Sequence, residues 1–282
     1  MNILLITNDF PPNNPGGMTT YYKGLADHWP GEKVVVLTVN VSDTSRDEEL
    51  AYLVIRTGLF EEQIKHFYNH HVWFRAALSA VKKHDIDLIH CGNIRPFGYV
   101  CYLLKKIYGI DYVLHFHGND LMRVYQKMQR SFIKKRCFSA IVDAASACVA
   151  NSEYTLQKIN TLLGVASSRI LLCYPGISDA FLAEAISHPF SAEQNMDKVK
   201  LLSVGRVTGR KGIAEVIKAL GFLKDSHDFE YHIAGRIADR SYYQECLSLA
   251  VACGIEENVV FHGMIPERKL HELYQHSHVF LL

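Results

Sequence analysis

The sequence predicts an α/β protein with two doubly wound domains, each built on a parallel sheet. The chain has 282 residues, which is too long for one small core. Its hydrophobic fraction of 49% is typical of a packed globular protein. Short apolar runs alternate with segments of helical periodicity almost throughout, and this order favours parallel strands joined by crossover helices. The alternation breaks at residues 187–198, which are mostly polar and include Pro189. We therefore predict a first domain of residues 1–186, a linker of residues 187–198 and a second domain of residues 199–282.

Short apolar runs predict the strands of the first domain. These strands are Ile3–Thr7, Lys33–Val39, Leu53–Arg56, Asp87–His90, Tyr112–His117, Ala147–Ala150 and Ile170–Cys173. Helical spacing fills most of the gaps between them, notably at Thr19–Trp29, Gln63–Lys83 and Arg123–Ala144.

The second domain repeats the same alternation. Its predicted elements are strand Val199–Val204, helix Ile213–Leu223, strand Phe229–Ala234, helix Tyr242–Ala252, strand Asn258–His262 and helix Glu267–His276. Val279–Leu282 has the pattern of a further strand. This domain has only about 85 residues, whereas a doubly wound domain usually needs roughly 100–150. We therefore expect the second domain to be incomplete and the chain to be truncated.

Composition excludes several classes of protein. The net charge of +1 gives no reason to expect nucleic acid as a partner. The seven cysteines include no Cys-x-x-Cys pair, which favours reduced thiols in the cytosol over disulfides or a zinc site. The N-terminus lacks the basic region of a signal peptide, and no apolar run approaches the roughly 20 residues of a membrane span. We expect a cytoplasmic protein.

The segment from Gly205 to Gly212 is the most informative stretch of the chain. It follows a buried strand, is rich in glycine, carries Arg206 and Lys211, and leads into a helix. Free backbone N–H groups and the helix dipole favour an anion at such a place, and phosphate is the natural ligand. The spacing matches neither a Walker loop nor a Gly-x-Gly-x-x-Gly turn. Spacing alone is equally consistent with a solvated basic turn.

Two features of the first domain are further candidates. Gly16 and Gly17 lie where the first strand hands over to a helix, so they form either a ligand-binding loop or an ordinary turn. His115 and His117 point to one face of their strand, because side chains alternate with a period of two. A histidine on a buried strand is more often structural, and we assign that role to His115. His117 differs because it stands at the carboxyl end of the strand.

Several motifs together resemble the retaining family 4 glycosyltransferases of the GT-B fold. The motifs, in family order, are Phe10-Pro11-Pro12 with Gly16-Gly17, His117-Gly118-Asn119-Asp120, Asn151-Ser152-Glu153-Tyr154-Thr155, Gly205-Arg206 with Lys211-Gly212, and Ile233-Ala234-Gly235 followed by Val260-Phe261-His262-Gly263. The resemblance covers essentially the whole chain. It implies two Rossmann-like domains that face each other across a cleft.

The resemblance also implies a reaction. A hexose would pass from a nucleoside-diphosphate sugar to a hydroxyl acceptor with retained anomeric configuration, in the synthesis of a surface polysaccharide or glycolipid. Arg206, Lys211 and Gly17 would lie at the donor diphosphate. His117 would be catalytic, contacting the donor sugar and supporting charge at the anomeric carbon. The resemblance implies neither a metal nor any other cofactor.

Three more residues belong to the acceptor side or the cleft loops by resemblance, namely Gly16, Asp120 and Asn151. Asp120 either contributes to the acceptor pocket or, as its position favours, holds the turn through its side chain. Asn151 and Ser152 have the pattern of a strand end followed by a helix cap, so a structural role is favoured for them too.

Departures from the family keep other functions open. Pro175-Gly176 lacks the Asn that the family places between these residues, and the family's paired glutamates would lie just beyond Leu282. We therefore expect the 282-residue chain alone to be inactive. The alternatives are an inactive fragment that only folds or binds a partner, and a sugar-nucleotide epimerase of the same fold. A nicotinamide dehydrogenase is disfavoured because Gly-x-Gly-x-x-Gly is missing.

Two motifs imitate metal sites. Asp85-Ile86-Asp87 resembles a metal-binding Asp-x-Asp but precedes a strand, which puts it at the wrong end of a sheet. His66 and His70 have metalloprotease spacing without the intervening Glu. We predict no metal site at either place.

A basic segment suggests one more partner. Between residues 121 and 142 there are six basic residues and no acidic ones, and they span Arg123 to Arg136. Either this is a solvated helix face, or it attaches the protein to an anionic membrane surface where a lipid-linked acceptor is found.

Overall fold

The computed structural model describes residues 1–13, 16–31, 33–63, 69–177, 179–187 and 198–282. The chain forms two compact units, Met1–Gly176 and Ile177–Leu282. Each unit is built on one sheet in which every strand pair is parallel. This confirms the predicted α/β class with two parallel sheets.

The sheet of the first unit has seven strands in the order β3-β2-β1-β4-β5-β6-β7. The strands are β1 (Asn2–Ile6), β2 (Lys33–Thr38), β3 (Leu53–Arg56), β4 (Leu88–Cys91), β5 (Asp111–Phe116), β6 (Ala147–Ala150) and β7 (Ile170–Leu172). All seven predicted strands are confirmed, with ends shifted by one residue at most. The strand order reverses between β1 and β4, and in open α/β sheets ligands bind beside the carboxyl ends of strands at such a point.

Helices cover both faces of this sheet. They are α1 (Gly17–Asp27), α2 (His70–His84), α3 (Ile94–Tyr108), α4 (Asn119–Gln129), α5 (Phe132–Ala144) and α6 (Glu153–Leu163). Alternation along β1 divides the core: Leu4 and Ile6 join the cluster under α2 and α3, whereas Ile3 and Leu5 join Tyr22 of α1 on the other face. In the larger cluster the rings of Trp73 and Phe97 pack 4.5 Å apart. Continuous apolar strands are expected where both faces are buried.

Two helix predictions differ from the structure. The segment Arg123–Ala144 is not one helix, because α4 ends at Gln129 and α5 begins at Phe132. Ser131 between them is extended, and its side chain accepts a hydrogen bond from Lys134 N at 3.4 Å, as an N-cap does. The helix predicted from Gln63 begins at His70, and His66 lies outside the described residues.

The sheet of the second unit has the order β10-β9-β8-β11. Its strands are β8 (Val199–Val204), β9 (Phe229–Ala234), β10 (Val259–Gly263) and β11 (Val279–Phe280), and its helices are α7 (Asp179–Ser187), α8 (Ile213–Gly221), α9 (Arg240–Cys253) and α10 (Glu267–Gln275). Each strand and helix predicted from residue 199 onwards has a counterpart here.

Helix α7 belongs to the second unit, whereas the sequence-based boundary at residue 186 included it in the first domain. The reason is its packing. The ring of Phe181 meets the rings of His271 and Tyr274 on α10 at 4.9 and 5.5 Å. Most of the predicted linker, residues 188–197, lies outside the described residues.

Within the part of the chain that the structure describes, no helix combines the length and apolar character needed to cross a bilayer. All seven cysteines are free thiols.

Candidate functional site

The loops at the carboxyl ends of β1 and β4 are joined by Asn93. Its Oδ1 atom accepts a hydrogen bond from Thr7 Oγ1 at 3.1 Å, and its Nδ2 atom donates to Asp9 Oδ2 at 3.0 Å. Both loops therefore hold fixed positions at the topological switch point. The sequence analysis did not identify Asn93, because its partners lie more than eighty residues away in sequence.

The opening loop leads into the N-terminus of α1. Gly17 is the first residue of α1, Gly16 occupies its N-cap position, and the first turn contains no acidic residue. A Cβ atom placed on Gly17 would meet none of the described residues within 4 Å, apart from its chain neighbours and its own helix backbone. Residues 14 and 15 of the loop lie outside the described residues.

A buried arginine fastens the same loop. Arg56 Nη2 donates to the Pro11 carbonyl oxygen at 2.7 Å, and its guanidinium forms a two-point bridge to Asp47 at 2.6 and 2.8 Å. Only 7% of the Arg56 side chain is exposed. Ion pairs this well buried are rigid, so the opening loop is held before any ligand arrives.

His117 stands directly after β5 and contacts α1. Its Nε2 atom lies 2.7 Å from Tyr22 Oη, and the Tyr22 hydroxyl donates a hydrogen bond to the Gly92 carbonyl oxygen. Burial lowers the pKa of His117 to about 4, so the ring is neutral at physiological pH. His117 thus offers hydrogen-bonding atoms and a dipole but no net charge.

His115, two residues earlier, is fully enclosed. Its Nδ1 atom lies 3.2 Å from Tyr21 Oη and its Nε2 atom lies 3.0 Å from His90 Nδ1. Burial, and then the neighbouring His90 and His117, hold the pKa of His115 well below its ordinary value. The rings of both His115 and His117 pack against Tyr21 and Tyr22, as expected for one face of a strand. These contacts fit a structural role for His115.

The turn after His117 is held by Asp120. Gly118 has φ 89°, a conformation that favours glycine, and Asp120 Oδ1 accepts a hydrogen bond from His117 N at 2.9 Å. Burial raises the pKa of Asp120, and backbone N–H donors work against that rise. The Asp120 carboxyl group thus fixes the backbone position of His117. This contact fits the structural role that the sequence favoured for Asp120.

Asn151 lies in the neighbouring turn. Its Oδ1 atom accepts a hydrogen bond from Thr155 Oγ1 at 2.8 Å, and Ser152 Oγ caps α6 by accepting from Thr155 N at 3.2 Å. A Cβ atom on Gly118 would lie 3.7 Å from Thr155 Oγ1, so the two turns are adjacent. The structure therefore brings His117, Asp120 and Asn151 to one edge of the first sheet.

In the second unit, Lys211 folds back over the end of β8. A Cβ atom on Gly205 would lie 2.9 Å from Lys211 Cε and 3.3 Å from Nζ, so the Lys211 side chain packs directly against the Gly205 backbone. Gly205 has φ 150° and Gly212, the N-cap of α8, has φ 66°. Lys211, Gly205 and Ile233 line a small pocket at the carboxyl ends of β8 and β9.

Positive charge in this turn is not neutralised by ion pairs. Across the described residues, the side chains of Arg206, Arg210 and Lys211 form no hydrogen bond or salt bridge, although the Glu215 carboxylate lies in the first turn of α8 near Gly212. Arg206 and Lys211 are exposed to solvent. Free guanidinium and ammonium groups beside a helix N-terminus are suited to bind phosphate oxygens.

The Asp85-Ile86-Asp87 motif lies away from the residues described above, whereas His66 of the other metal-like motif lies outside the described residues. Asp87 Oδ2 accepts a hydrogen bond from Asn2 N at 2.7 Å at the amino ends of β1 and β4, the edge opposite His117. No group of three or more His, Cys, Asp or Glu side chains in the described ranges converges as metal ligands would.

Comparison with known protein families also divides the chain into two domains. The family model for Glycosyltransferase Family 4 matches residues 15–181, and the model for Glycosyl transferases group 1 matches residues 185–282. An uncharacterized glycosyltransferase of Methanocaldococcus jannaschii is 24% identical over 299 aligned positions, covering all of this chain and 74% of the relative.

Solved structures share the fold. The sucrose-phosphate synthase of Thermosynechococcus elongatus superposes with a TM-score of 0.74 at 19% identity, covering 99% of this chain and 74% of that one. The Anabaena protein HepE in complex with UDP and glucose superposes with a TM-score of 0.69 at 16% identity, covering 99% and 73%. With its two Rossmann-like domains, the chain has the GT-B fold. It spans about three quarters of the length of these proteins.

Proposed function

We propose, because this chain belongs to Glycosyltransferase Family 4, that it transfers a hexose from a nucleoside-diphosphate sugar to a hydroxyl acceptor with retained configuration. The observation that carries the proposal is the turn from Gly205 to Gly212. It presents the Arg206 and Lys211 side chains, which have no ion-pair partner among the described residues, at the carboxyl end of β8 and the start of a helix. The complex of HepE with UDP and glucose supports a nucleotide sugar as the donor class. The reaction as proposed needs no metal or other cofactor.

The turn would stabilise the leaving group. As the anomeric bond breaks, negative charge develops on the nucleoside diphosphate, and positive groups fixed in advance lower the energy of that state. Arg206 would form a fork of hydrogen bonds to phosphate oxygens, while Lys211 would supply a compact charge. Gly17 would provide backbone N–H groups and open space for the same diphosphate, as the family resemblance implies.

His117 would contact the donor sugar. Because it is neutral, it would support charge at the anomeric carbon through its dipole and a hydrogen bond rather than as a cation. Asp120 would act through His117 by holding the turn, and Gly16 and Asn151 would border the acceptor side.

An exposed basic and apolar surface would bring the protein to its acceptor. At the start of α5, Phe132 is 77% exposed and Ile133 is 73% exposed, and both side chains lie within the basic segment from Arg123 to Arg136. Attachment to a membrane surface is favoured when apolar side chains enter the headgroup region and nearby lysines and arginines attract anionic lipid. We propose a cytoplasmic protein that meets a lipid-linked saccharide at an anionic membrane.

Calorimetric titration of the chain with UDP, GDP and ADP tests the donor site. At least one nucleotide should bind, and Lys211→Ala should weaken its binding tenfold or more. Arg210→Ala, which removes another exposed charge from the same turn, should change the affinity less than twofold. Equal effects of the two variants would overturn the assignment of Lys211.

Analysis of the reaction product tests the chemistry. Incubation with the donor whose nucleotide binds, and with lipid-linked saccharides, should yield a product with the anomeric configuration of the donor by proton NMR. Conversion of the donor sugar without acceptor would favour the epimerase. Failure to bind any of the three nucleotides would favour the binding module.

A further inference from the structure

Tyr22 is a buried side chain whose hydroxyl has two polar neighbours. The residue is fully buried. Its Oη atom donates to the Gly92 carbonyl oxygen and lies 2.7 Å from His117 Nε2. The second contact can run in either direction, since a neutral imidazole nitrogen either donates or accepts.

Counting protons fixes the direction. A phenol has one proton, and a carbonyl oxygen can only accept. The Tyr22 proton therefore lies on the bond to Gly92, and Tyr22 Oη must accept the proton of His117 Nε2. The opposite choice would set two lone pairs against each other in a buried place, which costs the free energy of an unmade hydrogen bond.

The other nitrogen of His117 follows from this. Since burial keeps the ring neutral, with a pKa of about 4, the ring carries one proton only and Nδ1 bears a lone pair. Among the described residues Nδ1 has no hydrogen-bond partner. His90 Nε2 also has no partner among these residues but is sealed from solvent, whereas His117 Nδ1 is not sealed. An accessible acceptor therefore stands at the carboxyl end of β5.

We propose that Tyr22 is a positioning residue that locks His117 in the Nε2–H tautomer, so that Nδ1 accepts a hydrogen bond from one hydroxyl of the donor sugar. This rests on the proposed function. A phosphate oxygen is an acceptor and would be repelled by the lone pair, so the geometry assigns His117 to the sugar and leaves the diphosphate to other groups. The lock also gives specificity, because a sugar without that hydroxyl leaves Nδ1 unpaired.

The adjacent tyrosine provides a matched control. Tyr21 Oη contacts His115 Nδ1, and the Tyr21 hydroxyl donates to no carbonyl oxygen of the described residues. Tyr21→Phe therefore removes one hydroxyl from α1 without changing the bond between Tyr22 and His117. Both substitutions keep an aromatic ring in place.

The tautomer is measured by long-range nitrogen–proton NMR of the histidine rings, without any substrate. The wild-type protein should show His117 as Nε2–H. Tyr22→Phe should convert it mainly to Nδ1–H, because Nε2 loses its acceptor, and Tyr21→Phe should leave it unchanged. An Nδ1–H tautomer in the wild-type protein overturns the proposal by itself, even if Tyr22→Phe does not fold.

The substrate part is tested by titrating the protein with a panel of monodeoxy donor sugars on the nucleotide that binds. One deoxy donor should bind the wild type about tenfold more weakly than the parent donor does. This gap should shrink below threefold in Tyr22→Phe and persist in Tyr21→Phe. An unchanged gap in Tyr22→Phe overturns the hydroxyl assignment. The free nucleoside diphosphate should bind all three proteins alike, and its failure to bind any of them counts against the proposed function, not against the tautomer.

Discussion

The backbone of Gly235 touches that of Gly205 where β8 and β9 end. A Cβ atom on Gly235 would overlap the Gly205 carbonyl oxygen and lie 2.5 Å from the Gly205 carbonyl carbon. Gly205 N also donates to the Ala234 carbonyl oxygen at 2.8 Å. Gly205, which lies against the Lys211 side chain, is thus itself positioned by a second glycine directly after the neighbouring strand.

Gly235→Ala should disrupt this contact. The added methyl group has no space, and φ 148° at Gly235 is costly for any other residue, so we expect the second unit to lose about 2–4 kcal/mol of stability. Hydrogen exchange of the β8 and β9 amides measures the loss. Gly24→Ala, inside α1 with nothing within 4 Å of the new atom, is the control and should be neutral or stabilising. Equal protection in Gly235→Ala and wild type would contradict the prediction.

Arg56→Ala should destabilise the first unit. It leaves the Asp47 carboxylate and the Pro11 carbonyl oxygen without their buried donor, and such losses typically cost about 3–5 kcal/mol. Urea unfolding followed by tryptophan fluorescence measures this, since Trp29 and Trp73 both lie in the first unit. Arg75→Ala, at an exposed position on α2, should change the free energy of unfolding by less than about 0.5 kcal/mol. A similar small effect for Arg56→Ala would show that the bridge contributes little.

The buried histidines predict that the first unit weakens in mild acid. Burial lowers the pKa of both His90 and His117 to about 4, while the unfolded chain takes up these protons near pH 6.5. Their contribution to stability is therefore complete above pH 6.5 and is lost as the pH falls towards 4. The slope should reach about 1.4 kcal/mol per pH unit for each histidine. Burial raises the pKa of Asp120. Protonation of this carboxyl group in acid therefore favours the folded state and offsets part of the stability that the histidines lose.

Urea unfolding at pH 7.5, 6.0 and 5.0 measures this dependence. Trp29 is a local probe, because its ring meets the ring of His90 at 5.2 Å. His90→Phe removes one titrating group and should reduce the slope, whatever it does to stability at pH 7.5. A free energy of unfolding that stays constant from pH 7.5 to 5.0 would refute the prediction.

Removing the exposed apolar pair should weaken membrane attachment. The double variant Phe132→Ser/Ile133→Ser should lower co-sedimentation with anionic vesicles at least fivefold, because the inserted apolar area is lost. Neutral vesicles should bind neither protein. Phe222→Ser, which removes an 89% exposed side chain from the second unit, is the control and should leave binding unchanged. Equal binding by the double variant and the wild type would favour a solvated helix face.

The strands were predictable because burial on both faces requires continuous apolar runs, as in β1 and β2. The turn from Gly205 to Gly212 could also be predicted, because glycines and basic residues are themselves the residue types that a phosphate-binding turn needs. The end of α4 was missed because a single serine cap decides it, and basic and apolar residues continue at helical spacing across Ser131.

Contacts between distant segments could not be predicted from the sequence. The link from Tyr22 to His117 spans 95 positions and that from Tyr22 to Gly92 spans 70. No local periodicity records such pairs, and a tyrosine on an amphipathic helix has the same pattern whether or not its hydroxyl orders a neighbour. Gly235 was visible only as part of a motif, without the reason that glycine is required there.

The bond from Arg56 to the carbonyl of Pro11 also matters for protein engineering. One way to engineer this protein is to exchange its opening loop with that of a relative. The shape of this loop, however, is partly determined by Arg56 and Asp47, which stand far from it in the chain. A loop transplanted alone would lack the hydrogen bond from Arg56, so the loop should be exchanged together with both of these residues.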